Sequence, residues 1–340
     1  MLVAGAISFL TALILAPAVT RLCVRWRLYD SIGPLKIHSK PIPRLGGVAI
    51  VLALAAGMAT AINSPQVPSW PFWITLALIW TTGFLDDIRG VSPILRLAAQ
   101  IGAGSLLWYG GWRLPLSGAG TFGLVAVCFF VVLFSNAFNF LDGSDGLCVG
   151  VAAVIALAYV ALPGPAPSSL GHVVAWSLLG ASAGFLIPNF PPAKIFMGDS
   201  GSNVLGFTVA FLALNFYRAN ARRLSPSILF FPILPASLPL LDAVLAILHR
   251  LRNGQSVLKG DRLHFYDLLH AAGWSSRRVA LTCYALTATM CVVAWLGLQP
   301  EFTHAFSLYV LSVGALLIGA VRLGSLKSKD SPPRVERART

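Results

Sequence analysis

Charged side chains are scarce in this sequence. Asp, Glu, Lys and Arg make up only 11% of its 340 residues, whereas apolar residues make up 56%. A soluble domain carries about a quarter charged residues, so this chain has too few to cover a surface that faces water. The scarcity excludes an ordinary soluble protein and favours a chain whose surface mostly contacts lipid.

The sequence also lacks cysteine pairs and Cys/His spacings that bind metal ions. Its cysteines lie in or beside apolar runs, where we expect small buried hydrophobic residues: Cys23, Cys128, Cys148, Cys283 and Cys291. Internal repeats and RNA-binding aromatic motifs are absent as well. We therefore expect no nucleic-acid partner, although the net charge is +13.

Long apolar runs are abundant, and each approaches the ~20 residues that cross a bilayer as a helix. We count eleven, at about 1–22, 45–63, 70–85, 94–112, 121–138, 146–163, 170–188, 201–217, 226–248, 278–298 and 304–322. They predict an all-α fold, a polytopic membrane helical bundle of 10–11 transmembrane helices. Residues 1–322 would form one domain, with a retained first span, and residues 323–340 a disordered basic tail.

The positions of Lys and Arg predict the orientation of the bundle. An outside N-terminus and a cytoplasmic C-terminus place 21 of the 25 basic residues on the cytoplasmic side, in loops, in the tail or at the adjoining ends of apolar runs, although a cluster at 218–223 breaks the trend. Most of the acidic residues and the glycine-rich turns concentrate in the same loops. We therefore expect chemistry at the cytoplasmic face of a bacterial inner membrane, within reach of both water and lipid.

Adjacent carboxylates follow the third apolar run in FLDDIRG. Asp86 and Asp87 repel each other, and such pairs persist where a cation or a proton-transfer role offsets the repulsion. One of them could bind Mg²⁺ while the other acts as a base. A solvated helix end before a glycine turn explains the pair equally well.

The motif NAFNFLDGSDGL at 136–147 is more specific. Asn136, Asn139, Asp142 and Asp145 recur at every third residue, so consecutive members are neighbours on a helix end. Amides beside carboxylates suit a metal–diphosphate or nucleotide site. An Asx-rich turn is the alternative, but four polar groups next to hydrocarbon are costly without a partner.

A third motif, PPAKIFMGDSGSNVLG, spans 191–206. Lys194 can neutralise a phosphate. Asp199 can ligate Mg²⁺, which prefers a few carboxylates together with phosphate oxygens. Asp199 could instead cap the next helix, and the two roles are compatible.

Two basic loops complete the candidate site. KIHSKPIPRLGG at 36–47 contains Lys40 and Arg44, which could bind a diphosphate or lipid phosphate or simply flank a span. The loop at 249–269 contains Asp261, Arg262 and His264, which could cover a nucleotide sugar. Asp242, inside the preceding apolar run, is a functional candidate because carboxylates are costly in a membrane.

In this order the motifs resemble those of the polyprenyl-phosphate N-acetylhexosamine-1-phosphate transferases, glycosyltransferase family 4. That family includes the bacterial enzymes that start O-antigen, enterobacterial common antigen and teichoic acid synthesis, and the phospho-N-acetylmuramoyl-pentapeptide transferase is a more distant relative. The match runs from about 36 to 270. The resemblance implies a homodimer that uses Mg²⁺ or Mn²⁺. It also implies transfer of N-acetylhexosamine-1-phosphate from a UDP-sugar to undecaprenyl phosphate, with release of UMP.

The resemblance also implies roles for individual residues. Asp199 would be a metal ligand, and Asp86, rather than Asp87, would deprotonate or orient the lipid phosphate. The central motif would help to bind nucleotide and metal, with Asn136 as a further ligand. Relatives that use UDP-N-acetylglucosamine commonly show DRxHxHH, whereas this chain has DRLHFYD, with Tyr266 and Asp267 in place of histidines. We therefore expect this loop to set the choice of sugar, and a modified or deoxy N-acetylhexosamine would fit.

Two routes and two other function classes remain open. The lipid phosphate could displace UMP directly, or the reaction could pass through an aspartyl-phosphate on a residue such as Asp142. A secondary transporter would carry charges near mid-membrane, whereas these lie at one face. A membrane prenyltransferase of the aspartate-rich type would need two DxxxD-type motifs, which the patterns here do not match.

Overall fold

The computed structural model describes residues 1–30, 41–60, 70–115, 120–161, 170–221, 229–256, 264–299 and 304–323. Within these ranges the chain forms twelve α-helices, one 3₁₀ turn at Leu234–Ala236 and one short β-ribbon. The helices are α1 (Leu2–Trp26), α2 (Gly46–Ala59), α3 (Trp70–Arg89), α4 (Pro93–Tyr109), α5 (Thr121–Leu141), α6 (Leu147–Val160), α7 (Leu170–Asn189), α8 (Gly198–Ala219), α9 (Ser237–Arg252), α10 (Phe265–Ala271), α11 (Ser276–Gly297) and α12 (Ala305–Leu323).

Each of the eleven predicted apolar runs contains a helix. Five helical stretches are long and apolar enough to cross a membrane by length and composition: α1, α5, α7, Leu234–Arg252 and α11. The chain is therefore a multi-pass helical membrane protein. The count of eleven spans and the sides of the two termini stay predictions, and the tail beyond residue 323 lies outside the described residues.

Helix α8 occupies the centre of the bundle. It contacts α2, α3, α5, α6 and α7, and sixteen of its 22 residues are buried. Small residues allow this close packing, because a Cβ atom at Gly83 would lie 2.7 Å from Ser200 Cα and one at Gly206 would lie 2.5 Å from the Phe134 carbonyl oxygen. The core thus fixes the helix whose first turn carries Asp199.

A small β-ribbon departs from the purely helical prediction. Strand β1 (Tyr29–Asp30) pairs antiparallel with β2 (Ile42–Pro43). The Phe196 N–H donates to the Pro43 carbonyl at 2.8 Å, and the Gly46 N–H donates to the Phe196 carbonyl at 2.9 Å. These backbone bonds attach the segment before α8 to the segment before α2. Strands of two residues give too little sequence pattern to be predicted.

The cysteine prediction is confirmed. All five cysteines are unpaired and buried.

Candidate active site

The predicted motifs meet at one end of the bundle. The described part of the α1–α2 connection and the connections α3–α4, α5–α6 and α7–α8 lie there, and hydrogen bonds or electrostatic interactions join residues in or beside all four. Residues far apart in the sequence therefore form one polar site. Of the predicted binding residues, Lys40, Asp261 and Arg262 lie outside the described residues.

Asp87 holds the start of α8. Its Oδ1 accepts hydrogen bonds from the Asp199 N–H at 2.9 Å and Arg44 Nη2 at 2.8 Å. Its Oδ2 accepts from the Ser200 N–H at 3.0 Å and Ser200 Oγ at 2.6 Å. Gly198 is required at this corner, because its φ is +70° and a Cβ atom would lie 2.5 Å from both carboxylate oxygens. Asp87 thus caps α8 from a different helix, and its four accepted bonds fix where Asp199 lies.

Arg44 completes the cap on α8. Its Nη1 lies 3.6 Å from the Asp30 carboxylate, and its Nη2 binds Asp87. Burial opposes the charge of Arg44, but the hydrogen bond and charge of Asp87 outweigh burial and raise the Arg44 pKa. The arginine predicted to bind phosphate is therefore held by two carboxylates in this structure.

Arg96 joins Asp86 to Asp199. Its Nη1 lies 2.9 Å from Asp86 Oδ2, and the same nitrogen binds Asp199 Oδ2. The other Asp86 oxygen accepts from the Val91 N–H at 2.5 Å. The guanidinium thus bridges two carboxylates that come from different helices.

The carboxyl groups of Asp86 and Asp199 also interact directly, and their pKa values move apart. Burial raises the pKa of Asp199 to about 7, and the Asp86 carboxyl and the charge of Asp87 act in the same direction. Burial opposes ionisation of Asp86, but its hydrogen bonds to Asp199 and Val91 and the charge of Arg96 lower its pKa. Such a pair favours a proton or a cation between the two groups.

A chain of amides supports Asp199 from the other side. Asn136 Nδ2 donates to Gln100 Oε1 at 2.7 Å, and Gln100 Nε2 donates to Asn203 Oδ1 at 3.1 Å. Asn203 Nδ2 in turn donates to the Asp199 carbonyl at 2.8 Å. The two bonds that the Asn136 nitrogen donates fix the orientation of the amide. Its carbonyl oxygen, the atom that can ligate a metal, has no hydrogen-bond partner among the described residues.

The rest of the central motif borders the carboxylate cluster, which consists of Asp86, Asp87 and Asp199. Asn139 Nδ2 donates to Ser202 Oγ at 3.1 Å, which ties α5 to α8. Asp145 Oδ2 accepts from the Ala193 N–H at 3.0 Å, which ties the α5–α6 turn to the segment before α8. Both residues therefore position the turn that carries Asp142.

Asp142 ends α5 and lies within electrostatic reach of the cluster. Burial raises its pKa well above the usual value, and the charges of Asp199 and Asp87 add to the effect. Among the described residues, none hydrogen-bonds its carboxyl group. Lys194, by contrast, is exposed, so its ammonium group can meet an anionic ligand from water.

Asp242 has a partner, as its position in an apolar run suggested. Its Oδ2 lies 2.8 Å from His264 Nδ1, and its Oδ1 accepts from the Phe265 N–H at 2.6 Å. The carboxylate thus fixes the histidine ring and the first residue of α10. His264, the third predicted residue of the last loop, is buried beside the α5–α6 turn through its contact with Phe140.

The carboxylate cluster suits a hard cation such as Mg²⁺ in its chemistry. Asp86 and Asp199 supply oxygen donors, and Mg²⁺ usually takes one or two carboxylates together with water and phosphate oxygens. In the part of the chain that the structure describes, no group of three or more His, Cys, Asp and Glu residues surrounds a metal position. The donor set therefore fits a cation shared with a phosphate ligand, not one enclosed by protein alone.

Sequence reasoning missed several residues of this site: Arg96, Gln100, Asn203 and Asp30. Arg96 and Gln100 fall inside the predicted apolar run at 94–112, and an ionisable residue in such a run is itself a functional signal. Asn203, a polar residue inside the predicted run at 201–217, carried a similar signal. Asp30 carried none, because only the fold brings it to Arg44.

Comparisons with known proteins match the resemblance that the motifs indicate. Residues 69–217 match the sequence profile of "Glycosyl transferase family 4". The "Decaprenyl-phosphate N-acetylglucosaminephosphotransferase" of Mycobacterium leprae is 31% identical over 84% of this chain and 78% of its own length. The "Probable undecaprenyl-phosphate N-acetylglucosaminyl 1-phosphate transferase" of Bacillus subtilis is 29% identical over 84% of this chain and 81% of its own. The "Undecaprenyl-phosphate alpha-N-acetylglucosaminyl 1-phosphate transferase" of Escherichia coli is 28% identical over 83% and 79%. The order of the motifs, the carboxylate cluster that they form and these similarities together establish that the chain belongs to glycosyl transferase family 4.

Proposed function

We propose that this protein transfers N-acetylhexosamine-1-phosphate from a UDP-sugar to a polyprenyl phosphate and releases UMP. The observation that carries the proposal is the meeting of Asp86, Asp87 and Asp199 beside Arg44 and Arg96. Carboxylates for a cation and guanidinium groups for phosphates are what a diphosphate transfer requires. The names of the relatives, which describe N-acetylglucosamine phosphate transfer to undecaprenyl or decaprenyl phosphate, support the same reaction.

In the direct route, an oxygen of the lipid phosphate attacks the phosphorus that carries the sugar. A new P–O bond forms, and the bond to the UMP oxygen breaks. Asp86 and Asp199 would hold Mg²⁺ or Mn²⁺, which when bound offsets the charge of the diphosphate. Asp87 is a positioning residue in this scheme, because all its accepted bonds go to Arg44 and the start of α8.

Asp142 is the side chain on which the two possible routes differ. In the direct route it would accept a proton from the lipid phosphate, a role that the family resemblance gives to Asp86 and that requires an ionised Asp142 carboxyl when the substrates bind. In the two-step route it would accept the sugar phosphate itself. We favour direct transfer. Chemical trapping and peptide mass analysis after incubation with the UDP-sugar alone would detect a phosphorylated Asp142 if the two-step route operates.

The proposed setting is a bacterial inner membrane, with the site facing the cytoplasm and the protein acting as a homodimer. The charge distribution and the motif end of the bundle support this orientation. The product would be the first lipid-linked intermediate of a cell-surface glycan such as O-antigen. A reporter fused to the C-terminus should be active only in the cytoplasm, and activity only in the periplasm would put the site on the wrong face.

The reaction can be tested with purified protein, undecaprenyl phosphate and a panel of UDP-sugars. UMP and a lipid-linked sugar diphosphate should appear together in equal amounts and only when a divalent cation is present. UDP-N-acetylglucosamine is the first donor to test. Failure of every UDP-sugar to give lipid product, with folded protein and the cation present, would reject the proposal.

A further inference from the structure

A column of side chains in contact, of which His264 and Tyr266 are stacked, leads to the turn that carries Asp142. The Arg250 guanidinium carbon lies 5.1 Å from the centre of the Phe140 ring. The Phe140 and His264 rings are 5.4 Å apart, and the His264 and Tyr266 rings are 5.6 Å apart and nearly parallel, at 2°. The column thus connects α9, the end of α5 and the start of α10.

The column ends on Gly143, in the α5–α6 turn. A Cβ atom at Gly143 would overlap the Tyr266 hydroxyl oxygen and lie 2.7 Å from Tyr266 Cε2. Gly143 is not among the described glycines with positive φ, so the backbone does not require glycine at this position. The requirement comes from the tyrosine, which covers the turn between Asp142 and Asp145.

The tyrosine is held from the other side as well. Asp242 binds both the His264 ring and the Phe265 N–H, which places the residue immediately before Tyr266. Tyr266 itself is only 6% exposed. Its ring therefore has little freedom to turn towards a ligand bound at the candidate site. Contacts within the protein set its position.

We propose that Tyr266 is a positioning residue for the proposed reaction and not a sugar ligand. Its ring packs against Gly143 and fixes the position of the turn that carries Asp142 relative to α10. Displacing the ring would displace Asp142 from the carboxylate cluster. The inference rests on the proposed function for its catalytic meaning, whereas the Tyr266–Gly143 contact stands on geometry alone.

A suppression experiment tests the proposal. Gly143→Ala, Tyr266→Ala and the double variant would be purified and compared for UDP-N-acetylglucosamine binding, turnover and thermal unfolding. Gly143→Ala should lower kcat/KM about 100-fold, as misplacement by about 1 Å can. The double variant should have a kcat/KM about tenfold higher than Gly143→Ala alone, because the two residues are coupled through their contact.

Gly150→Ala is the matched control. A Cβ atom at Gly150 would overlap the ring of Tyr284, a second tight glycine–tyrosine pair that does not involve Tyr266. Tyr266→Ala should give no recovery there. Recovery of both glycine variants would indicate a general effect on folding and would overturn the proposal.

The remaining outcomes are also decisive. Recovery of thermal stability without recovery of binding or kcat/KM would leave Tyr266 as packing only and overturn the positioning role. If Gly143→Ala does not fold, Tyr266→Phe should bind the UDP-sugar within about threefold of wild type and Tyr266→Ala about tenfold more weakly, and equal binding would reject the role. Wild-type protein that binds the UDP-sugar but transfers nothing would reject the proposed function, while the binding data would still decide the role of Tyr266.

Discussion

The two sides of the candidate site are built on different principles. On the acidic side, Asp86 and Asp199 both bind Arg96, and their carboxyl groups also contact each other directly. On the aromatic side, Asp242 is buried and bonded to His264 and to a backbone N–H, and rings stack beyond it. Electrostatics therefore governs the first side and shape governs the second.

This contrast predicts which substitutions each side tolerates. A change of charge that preserves shape should matter most on the acidic side, because its geometry depends on opposite charges in contact. A change of shape that preserves charge should matter most on the aromatic side, where packing holds Tyr266. The predictions below test that division, beginning with the largest effect.

Asp199→Asn should abolish transfer, with a loss of at least about 10³-fold, because one cation ligand and one negative charge disappear without a change in shape. Binding of Mn²⁺, followed by electron paramagnetic resonance, should be lost as well, while membrane insertion stays normal. Thr208→Ala, further along α8, is the control and should bind Mn²⁺ normally, because the Thr208 hydroxyl bonds only the Val204 carbonyl of its own helix. Near-normal turnover with unchanged dependence on Mg²⁺ would show that Asp199 is not a ligand.

Asp87→Asn should lower the thermal unfolding midpoint far more than Asp86→Asn. Asparagine cannot accept all four of the bonds that Asp87 accepts, and Arg44 would lose its closest carboxylate. Breaking a buried ion pair in this way costs about 3–5 kcal/mol. Melting curves of the two purified variants provide the measurement. Equal shifts would mean that the two carboxylates contribute equally to stability and that Asp87 is not the cap that holds α8.

Much of the fold follows directly from the apolar runs, since each predicted run contains a helix. Boundaries were less predictable where another helix supplies the cap. The predicted apolar run that follows Asp199 begins at 201, yet α8 begins at Gly198 because Asp87 accepts its first N–H groups. A cap supplied 112 residues away leaves no local pattern.

The sequence predicted many of the residues that belong to the candidate site but not which of them contact each other. Asp86, Asp142 and Asp199 stand out because carboxylates beside hydrocarbon are costly. The bond from Arg96 to Asp199 could not be predicted, since it depends on how α4, which packs on α3 and α5, is placed relative to the start of α8. The sequence also suggested Tyr266 as a sugar ligand, whereas its burial against Gly143 follows from the way that α10 packs on the α5–α6 turn.

Arg96→Gln should separate cation binding from turnover. Removing the guanidinium leaves Asp86 and Asp199 in mutual repulsion, so affinity for Mn²⁺ should rise about tenfold. Transfer should nevertheless fall about 10- to 100-fold, because Arg96 no longer holds the two groups in place. Arg89→Gln, at the exposed end of α3, is the control and should change neither quantity. Weaker binding of Mn²⁺ to Arg96→Gln would contradict the assignment of these carboxylates to the cation.

The smallest effect is expected on the aromatic side, where Asp267→His and Tyr266→His should differ in kind. Asp267 is partly exposed and adjoins the loop expected to recognise the sugar, so its replacement should change the ratio of kcat/KM between UDP-N-acetylglucosamine and a 6-deoxy analogue. One altered hydrogen bond is worth about 1 kcal/mol, which corresponds to about fivefold in that ratio. Tyr266→His removes the ring that rests on Gly143, so it should lower kcat/KM for both sugars by a similar factor and leave the ratio unchanged. If the ratio of kcat/KM between the two sugars changed in Tyr266→His and not in Asp267→His, the column that contains Tyr266 would set the choice of sugar. The aromatic side would then recognise substrate and not only maintain the shape of the site.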